Sequence, residues 1–246
     1  MTMLRARVAA GERVQGLFIG LPSPAVVEVV ALARPDFLCL DGEHSALRGD
    51  LLAGMLRAAE LHGVPAIVRV PEAAPWLIAE ALDAGAQGVL VPRVSSAEQA
   101  AAAVSAARYP PEGRRGAGPG RAAGYGYDIG PYMDRARAET FVAVQIETPE
   151  AVEELDAILA VPGIDLAFIG PGDLGVGLAA AGAAMPDVLF EAVERIAVGA
   201  EAAGVPAGIF LAGPDPQGWG RRFPFLIRGS DAMLLRAAAD ALFGGA

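Results

Sequence analysis

The chain has 246 residues, 54% of them hydrophobic and 20% charged, with a formal net charge of −10. That balance excludes a disordered chain, and the acidic surplus disfavours binding to nucleic-acid phosphates. A single cysteine, Cys39, excludes an internal disulfide framework and a cysteine-based zinc site. Short apolar runs predict strands at 16–20, 37–41, 66–70, 88–91, 141–146, 166–169, 207–211 and 225–227. Alanine-rich segments between them predict helices at 24–33, 51–61, 76–84, 97–107, 150–160, 189–203 and 232–242. Gly63-Val64-Pro65 and Gly204-Val205-Pro206 each read as a helix stop followed by a strand start. The uncharged stretch 14–27 is broken by Gly16, Gly20, Pro22 and Pro24, so it reads neither as a membrane span nor as a signal-peptide core. A cytoplasmic location is the expectation.

Most of the strands are continuous apolar runs, which suits a parallel sheet covered on both faces. Eight strands alternating with helices predict a (β/α)8 barrel, with residues 1–246 as one domain. A doubly wound open sheet is the alternative. Residues 109–132, rich in Gly, Pro, Arg and Tyr, predict a long irregular loop after the fourth strand, on the side of the βα loops.

Barrel active sites lie at the C-terminal ends of the strands. The second strand ends in Asp41-Gly42-Glu43-His44, the third in Arg69, and the fifth in Gln145-Ile146-Glu147. The sixth runs into Gly170-Pro171-Gly172-Asp173, and Arg93 stands just past the fourth. Glu147 and Asp173 are one βα unit apart, at adjacent strand tips. Two hard oxygen donors plus water suit Mg²⁺ or Mn²⁺; alternatively each carboxylate caps the following helix, with Thr148 a candidate N-cap. An aspartate three residues before a histidine suits a general-base dyad of Asp41 and His44, against the plainer reading of a structural histidine. Arg69 suits a substrate anion, or an ion pair with Glu147 or Asp41. His62 before Gly63 reads as a helix C-terminal cation, and Cys39 as a buried small hydrophobe. Residues 170–175 fit G-x-G-x-x-G, but Asp173 would face the pyrophosphate and no acidic residue closes a strand at the required distance, so no nucleotide site is expected. The first-turn amides of Gly172 and Asp173 suit a small carboxylate instead.

The segments FLCLDGEH (37–44), YPPEGRRG (109–116), VQIET (144–148) and FIGPGDL (168–174) resemble the HpcH/HpaI aldolase family. PAIVRV (65–70), GAQGVLVPR (85–93) and GSDAMLL (229–235) extend the resemblance over nearly the whole chain. The resemblance implies a barrel that assembles as a homohexamer, a trimer of dimers exchanging their last helix. It also implies a class II aldolase that reversibly cleaves 4-hydroxy-2-oxo acids to pyruvate and an aldehyde through a metal-held enolate. Carried over by position, Glu147 and Asp173 would bind the divalent ion (Mg²⁺, Mn²⁺ or Co²⁺), and His44, held by Asp41, would be the base. Arg69 would steady the 2-oxo oxygen. Phe18, Gln145 and Leu211 would line the substrate pocket, and the Gly172 and Asp173 amides would take the carboxylate. Asp83 would reach a neighbouring subunit's site. Phe18 stands where relatives often carry Trp, Gly175 where Ser is usual, and Met185-Pro186 where His-Pro is usual; these departures touch the aldehyde pocket and the exchanged helix.

All 19 basic residues are arginine. Without lysine there is no Schiff-base route, neither a class I aldolase nor a lysine-anchored pyridoxal phosphate. Two other readings of the same barrel are a citrate lyase β-like acyl-CoA ester lyase and a non-catalytic 2-oxo acid binding protein; a nicotinamide enzyme is a more distant third.

Overall fold

The computed structural model describes residues 3–183 and 185–244. Eight parallel strands close into a barrel in sequence order: β1 (Val14–Ile19), β2 (Phe37–Asp41), β3 (Ala66–Arg69), β4 (Gly88–Val91), β5 (Phe141–Ile146), β6 (Leu166–Ile169), β7 (Ala207–Leu211) and β8 (Phe225–Ser230). The helices are α1 (Leu4–Ala9), α2 (Pro24–Ala31), α3 (Gly49–Leu61), α4 (Pro75–Asp83), α5 (Ala97–Ala107), α6 (Ile129–Glu139), α7 (Pro149–Glu153), α8 (Leu155–Leu159), α9 (Pro171–Ala180), α10 (Asp187–Ala203), α11 (Trp219–Arg222) and α12 (Asp231–Phe243). The closed sheet replaces the open-sheet alternative.

Alternation along each strand separates two cores. Inward positions such as Phe37, Cys39, Ile67, Leu90, Phe141, Phe168 and Phe225 fill the barrel, with the Phe37 and Phe225 rings stacked at 4.5 Å. Outward positions such as Leu38, Leu40, Val68, Val89 and Val142 pack under the helices. The inward series of β2 runs Phe37, Cys39, Asp41, and that of β5 runs Phe141, Ala143, Gln145. The same period that packs the barrel therefore delivers polar groups to its C-terminal mouth. Cys39 is fully buried, as expected.

The differences from expectation have physical reasons. Segment 109–132 follows α5, which has already carried the chain back to the N-terminal face, so it lies opposite the βα loops. Arg115 there bonds Asp83 at the end of α4, and Arg121 reaches the carbonyl of Ala84 and the carboxylate of Glu60. The segment is also partly folded, with a 3₁₀ stretch over Arg121–Gly126 leading into α6. The helix expected at 150–160 is broken at Glu154 (φ −87°, ψ 10°). α9, for which the sequence predicts a first turn at Gly172 and Asp173 but no extent, carries several glycines, which depress helix propensity. One of them, Gly177, allows close packing: a Cβ there would lie 2.8 Å from Pro149 Cδ. Among the described residues no helix is long and apolar enough to cross a membrane.

Candidate active site

The mouth is organised around Arg69, the last residue of β3. Its Nε and Nη2 donate to the two oxygens of Asp41 at 3.0 and 2.7 Å, a bidentate pair across the β2–β3 register. Its Nη1 lies 3.1 Å from Glu43 Oε2, and its guanidinium stacks 4.3 Å from the Phe18 ring. Burial alone would raise the Asp41 carboxyl. The bonds and charge of Arg69, with two backbone N–H groups, outweigh it and hold Asp41 below the usual carboxylate range. Of the partners anticipated for Arg69, Asp41 forms the pair, and Glu147 does not.

Asp41 does not orient the His44 imidazole. Its Oδ1 accepts the backbone N–H groups of Glu43 and His44 at 3.1 and 3.2 Å, forming a turn just past the strand. The carboxylate facing the ring belongs to Glu43, whose Oε2 lies 3.8 Å from His44 Nε2. The imidazole itself is 63% exposed, at the open edge of the mouth.

Glu147 is buried beyond the tip of β5. Its Oε1 accepts the backbone N–H of Arg93 at 2.8 Å, and its Oε2 accepts from Gln145 Nε2. Arg93 takes a left-handed conformation there (φ 53°), unusual for a side chain with a Cβ. Gly170 is required by close approach, since a Cβ would lie 2.6 Å from Glu147 Oε2. Burial pushes the Glu147 carboxyl up to about 7; the Arg93 amide opposes this, the Glu43 charge adds to it, the Gln145 bond opposes it, and the Asp173 charge adds again. Burial likewise raises the Glu43 carboxyl, which Arg69 and His44 offset only in part. Capping of α7 falls to Thr148, whose Oγ accepts the N–H of Ala151 at 3.1 Å, leaving Glu147 free for the mouth. Asp173 and Gly172 open the first turn of α9, where a helix leaves its N–H groups free.

Leu211 closes β7, and beside it Phe210 packs against Phe18 with ring centroids 5.6 Å apart. Asp83 is not brought to this mouth. It ends α4 at the opposite face, bonded to Arg115 at 2.6 Å. His62 follows the last residue of α3, as a C-terminal cap. A cavity of about 540 Å³ also opens at the N-terminal face, lined by Glu60, Gln87, Arg121, Tyr125 and Arg135 among others. It lies away from the strand tips and shares no residue with them.

Among the described residues no three Asp, Glu, His or Cys side chains converge as a ready metal cage. The donor set nevertheless fits a hard cation with an incomplete protein shell. The charges of Glu43 and Asp173 both raise the Glu147 carboxyl, that of Asp173 also raises Glu43, and the buried Gln145 Oε1 has no partner. Glu43 was legible only as a member of the strand-tip run. It lies past the end of β2, in the turn that Asp41 holds, so strand alternation does not find it.

Residues 15–218 match the model of the HpcH/HpaI aldolase/citrate lyase family. A hydroxypyruvate/pyruvate aldolase of Roseovarius nubinhibens is 39% identical over 96% of this chain and 93% of its own length. A 2-keto-3-deoxy-L-rhamnonate aldolase of Klebsiella pneumoniae subsp. pneumoniae is also 39% identical, over 94% and 87%. The crystal structure of a family protein from Burkholderia cenocepacia superposes with a TM-score of 0.88 at 35% identity, covering 97% of both chains. The chain belongs to the HpcH/HpaI aldolase/citrate lyase family, and is a carbon–carbon lyase built on a (β/α)8 barrel.

Proposed function

We propose that the protein is a divalent-metal-dependent aldolase that reversibly cleaves 4-hydroxy-2-oxo acids to pyruvate, or its hydroxylated analogue, and an aldehyde. The observation that carries this reading is the rim itself, where a buried Glu147 with a carboxyl pushed up to about 7 faces Glu43 and Asp173 beside a fixed arginine. Relatives named for hydroxypyruvate, pyruvate and deoxy-sugar acid aldolases support the substrate class.

Glu147 and Asp173 would hold the cation, which when bound supplies Lewis-acid polarisation of the substrate's 2-oxo and carboxylate oxygens. The first-turn amides of α9 at Gly172 and Asp173 bind the carboxylate end. Gln145 and Phe18 fix the 2-oxo acid against the barrel floor, and Leu211 borders the aldehyde side. His44, at the open edge, takes the proton of the C4 hydroxyl as the C3–C4 bond breaks. The electron pair of that bond moves onto the 2-oxo oxygen. Arg69 faces this developing charge with N–H groups that Asp41 and Glu43 leave over: a guanidinium has five, and three are engaged here. Protonation at C3 releases pyruvate. Asp41 acts by locking Arg69 and the turn that carries His44.

The exposed apolar side chains of α12, including Leu234, Leu235, Leu242 and Phe243, support a homo-oligomer in which this helix is covered by another subunit. Asp83 then falls to a role in a neighbouring subunit's site.

The test is pyruvate release from 4-hydroxy-2-oxo acids by enzyme stripped with EDTA and resupplied with Mg²⁺, Mn²⁺ or Co²⁺. The reading predicts release only with metal, and none from Glu147→Ala or His44→Ala. Absence of pyruvate with every metal and acid contradicts it and directs the assay to acyl-CoA cleavage.

A further inference from the structure

We propose that Glu43 is a positioning residue that couples Arg69 to His44, so that one carboxylate fixes both the anion-stabilising group and the base. The inference rests on the aldolase reading above. Its ground is the geometry of a single atom. Glu43 Oε2 is buried without a well-directed hydrogen bond, 3.1 Å from Arg69 Nη1 and 3.8 Å from His44 Nε2.

Neutralising Arg69 does not require Glu43, because Asp41 already pairs with it through two bonds. A second carboxylate buried there costs desolvation, so a merely structural account leaves it unexplained. The His44 ring, in turn, has no other carboxylate partner within its own chain among the described residues. Asp41 reaches only the backbone of His44, and the ring is largely exposed. Glu43 stands between them in the turn just past β2 whose backbone N–H groups Asp41 Oδ1 holds. Phe18 stacks on the Arg69 guanidinium, while Glu43 meets it at Nη1. Loss of the carboxylate therefore removes the charge that faces the imidazole and leaves Arg69 held by Asp41 alone. Substrate still meets Arg69, but the base no longer has a fixed place relative to it.

The experiment is steady-state cleavage of a 4-hydroxy-2-oxo acid by the Mn²⁺-loaded holoenzyme, for wild type, Glu43→Gln, Glu43→Asp and Glu43→Ala. Supporting residues around a site are worth about 10–100-fold. The expected result is a kcat for Glu43→Gln lower by about that factor, with KM changed less than about threefold. Glu43→Asp, which keeps the charge, recovers more kcat than Glu43→Gln. Glu43→Gln preserves volume and a partner for Arg69, so its melting temperature stays near that of wild type; if Glu43→Ala unfolds early, the Gln and Asp pair decides. A Glu43→Gln kcat within about twofold of wild type, or a loss carried wholly by KM, overturns the inference while leaving the aldolase reading intact. A wild type that releases no pyruvate overturns the reading and the inference together.

Discussion

The two ends of the barrel use the same residue types to opposite effect. At the N-terminal face Asp165 is saturated: Arg5 Nε and Arg108 Nη2 each approach at 2.7 Å, and the backbone N–H of Val142 adds a third bond at 2.8 Å. At the C-terminal mouth the balance is reversed. Asp41 and Glu43 share one guanidinium, and among the described residues Glu147 and Asp173 pair with no cation at all. Asp173 is exposed, but Glu147 is buried with only neutral donors, Arg93 N–H and Gln145 Nε2, and stability alone gives no reason to bury a carboxylate without a cation. The surplus of anionic oxygen marks the mouth as the working end and the N-terminal face as the riveted one.

Removing the guanidinium at the centre of the mouth gives the largest effect. Arg69→Met removes an anion-stabilising group and strands two buried carboxylates. Activity falls by about 10²–10³-fold, and chemical denaturation shows a loss of about 3–5 kcal/mol. The same cut at the riveted end separates the two roles. Arg108→Leu strips bonds from Asp165, Thr140 and Gly163 and costs about 3 kcal/mol, yet kcat and KM of the folded protein stay within about twofold.

A pH titration probes the mouth without mutation. The Glu147 carboxyl rises from 4.5 to about 7 in the metal-free fold. Between those values the native state keeps a proton that the unfolded chain has lost. Stability is therefore greatest below about pH 4.5 as far as this group is concerned, and declines as pH rises towards about 7, by about 1–3 kcal/mol. Urea unfolding of EDTA-treated protein checks this, with Glu147→Gln expected to flatten the slope. The smallest effect comes from Thr148→Ala, which removes the N-cap of α7 and costs about 1 kcal/mol in the same assay.

The fold was legible because a buried parallel strand leaves an unmistakable apolar run, and five of the eight strand ranges agree residue for residue with the structure. Strand ends were equally legible as site positions, since Asp41, Arg69 and Gln145 finish inward series. Partner choice was not. That Asp41 grips Arg69 rather than the His44 ring depends on a turn whose backbone N–H groups claim the same carboxylate, which spacing does not reveal. The left-handed backbone at Arg93, which presents its amide to Glu147, has no glycine to announce it. The side of the barrel reached by residues 109–132 differs from the expectation because α5 intervenes; the rule that places βα loops at the mouth does not govern the connection leading back to the next strand.

Binding of Mn²⁺ to EDTA-treated protein, followed by the loss of the free-ion electron paramagnetic resonance signal, tests the claim that the unpaired carboxylates form a cation site. One ion per chain is expected for wild type, with binding lost in both Glu147→Gln and Asp173→Asn. Wild-type protein that leaves the free-ion signal unchanged, or variants that bind as wild type does, would contradict it.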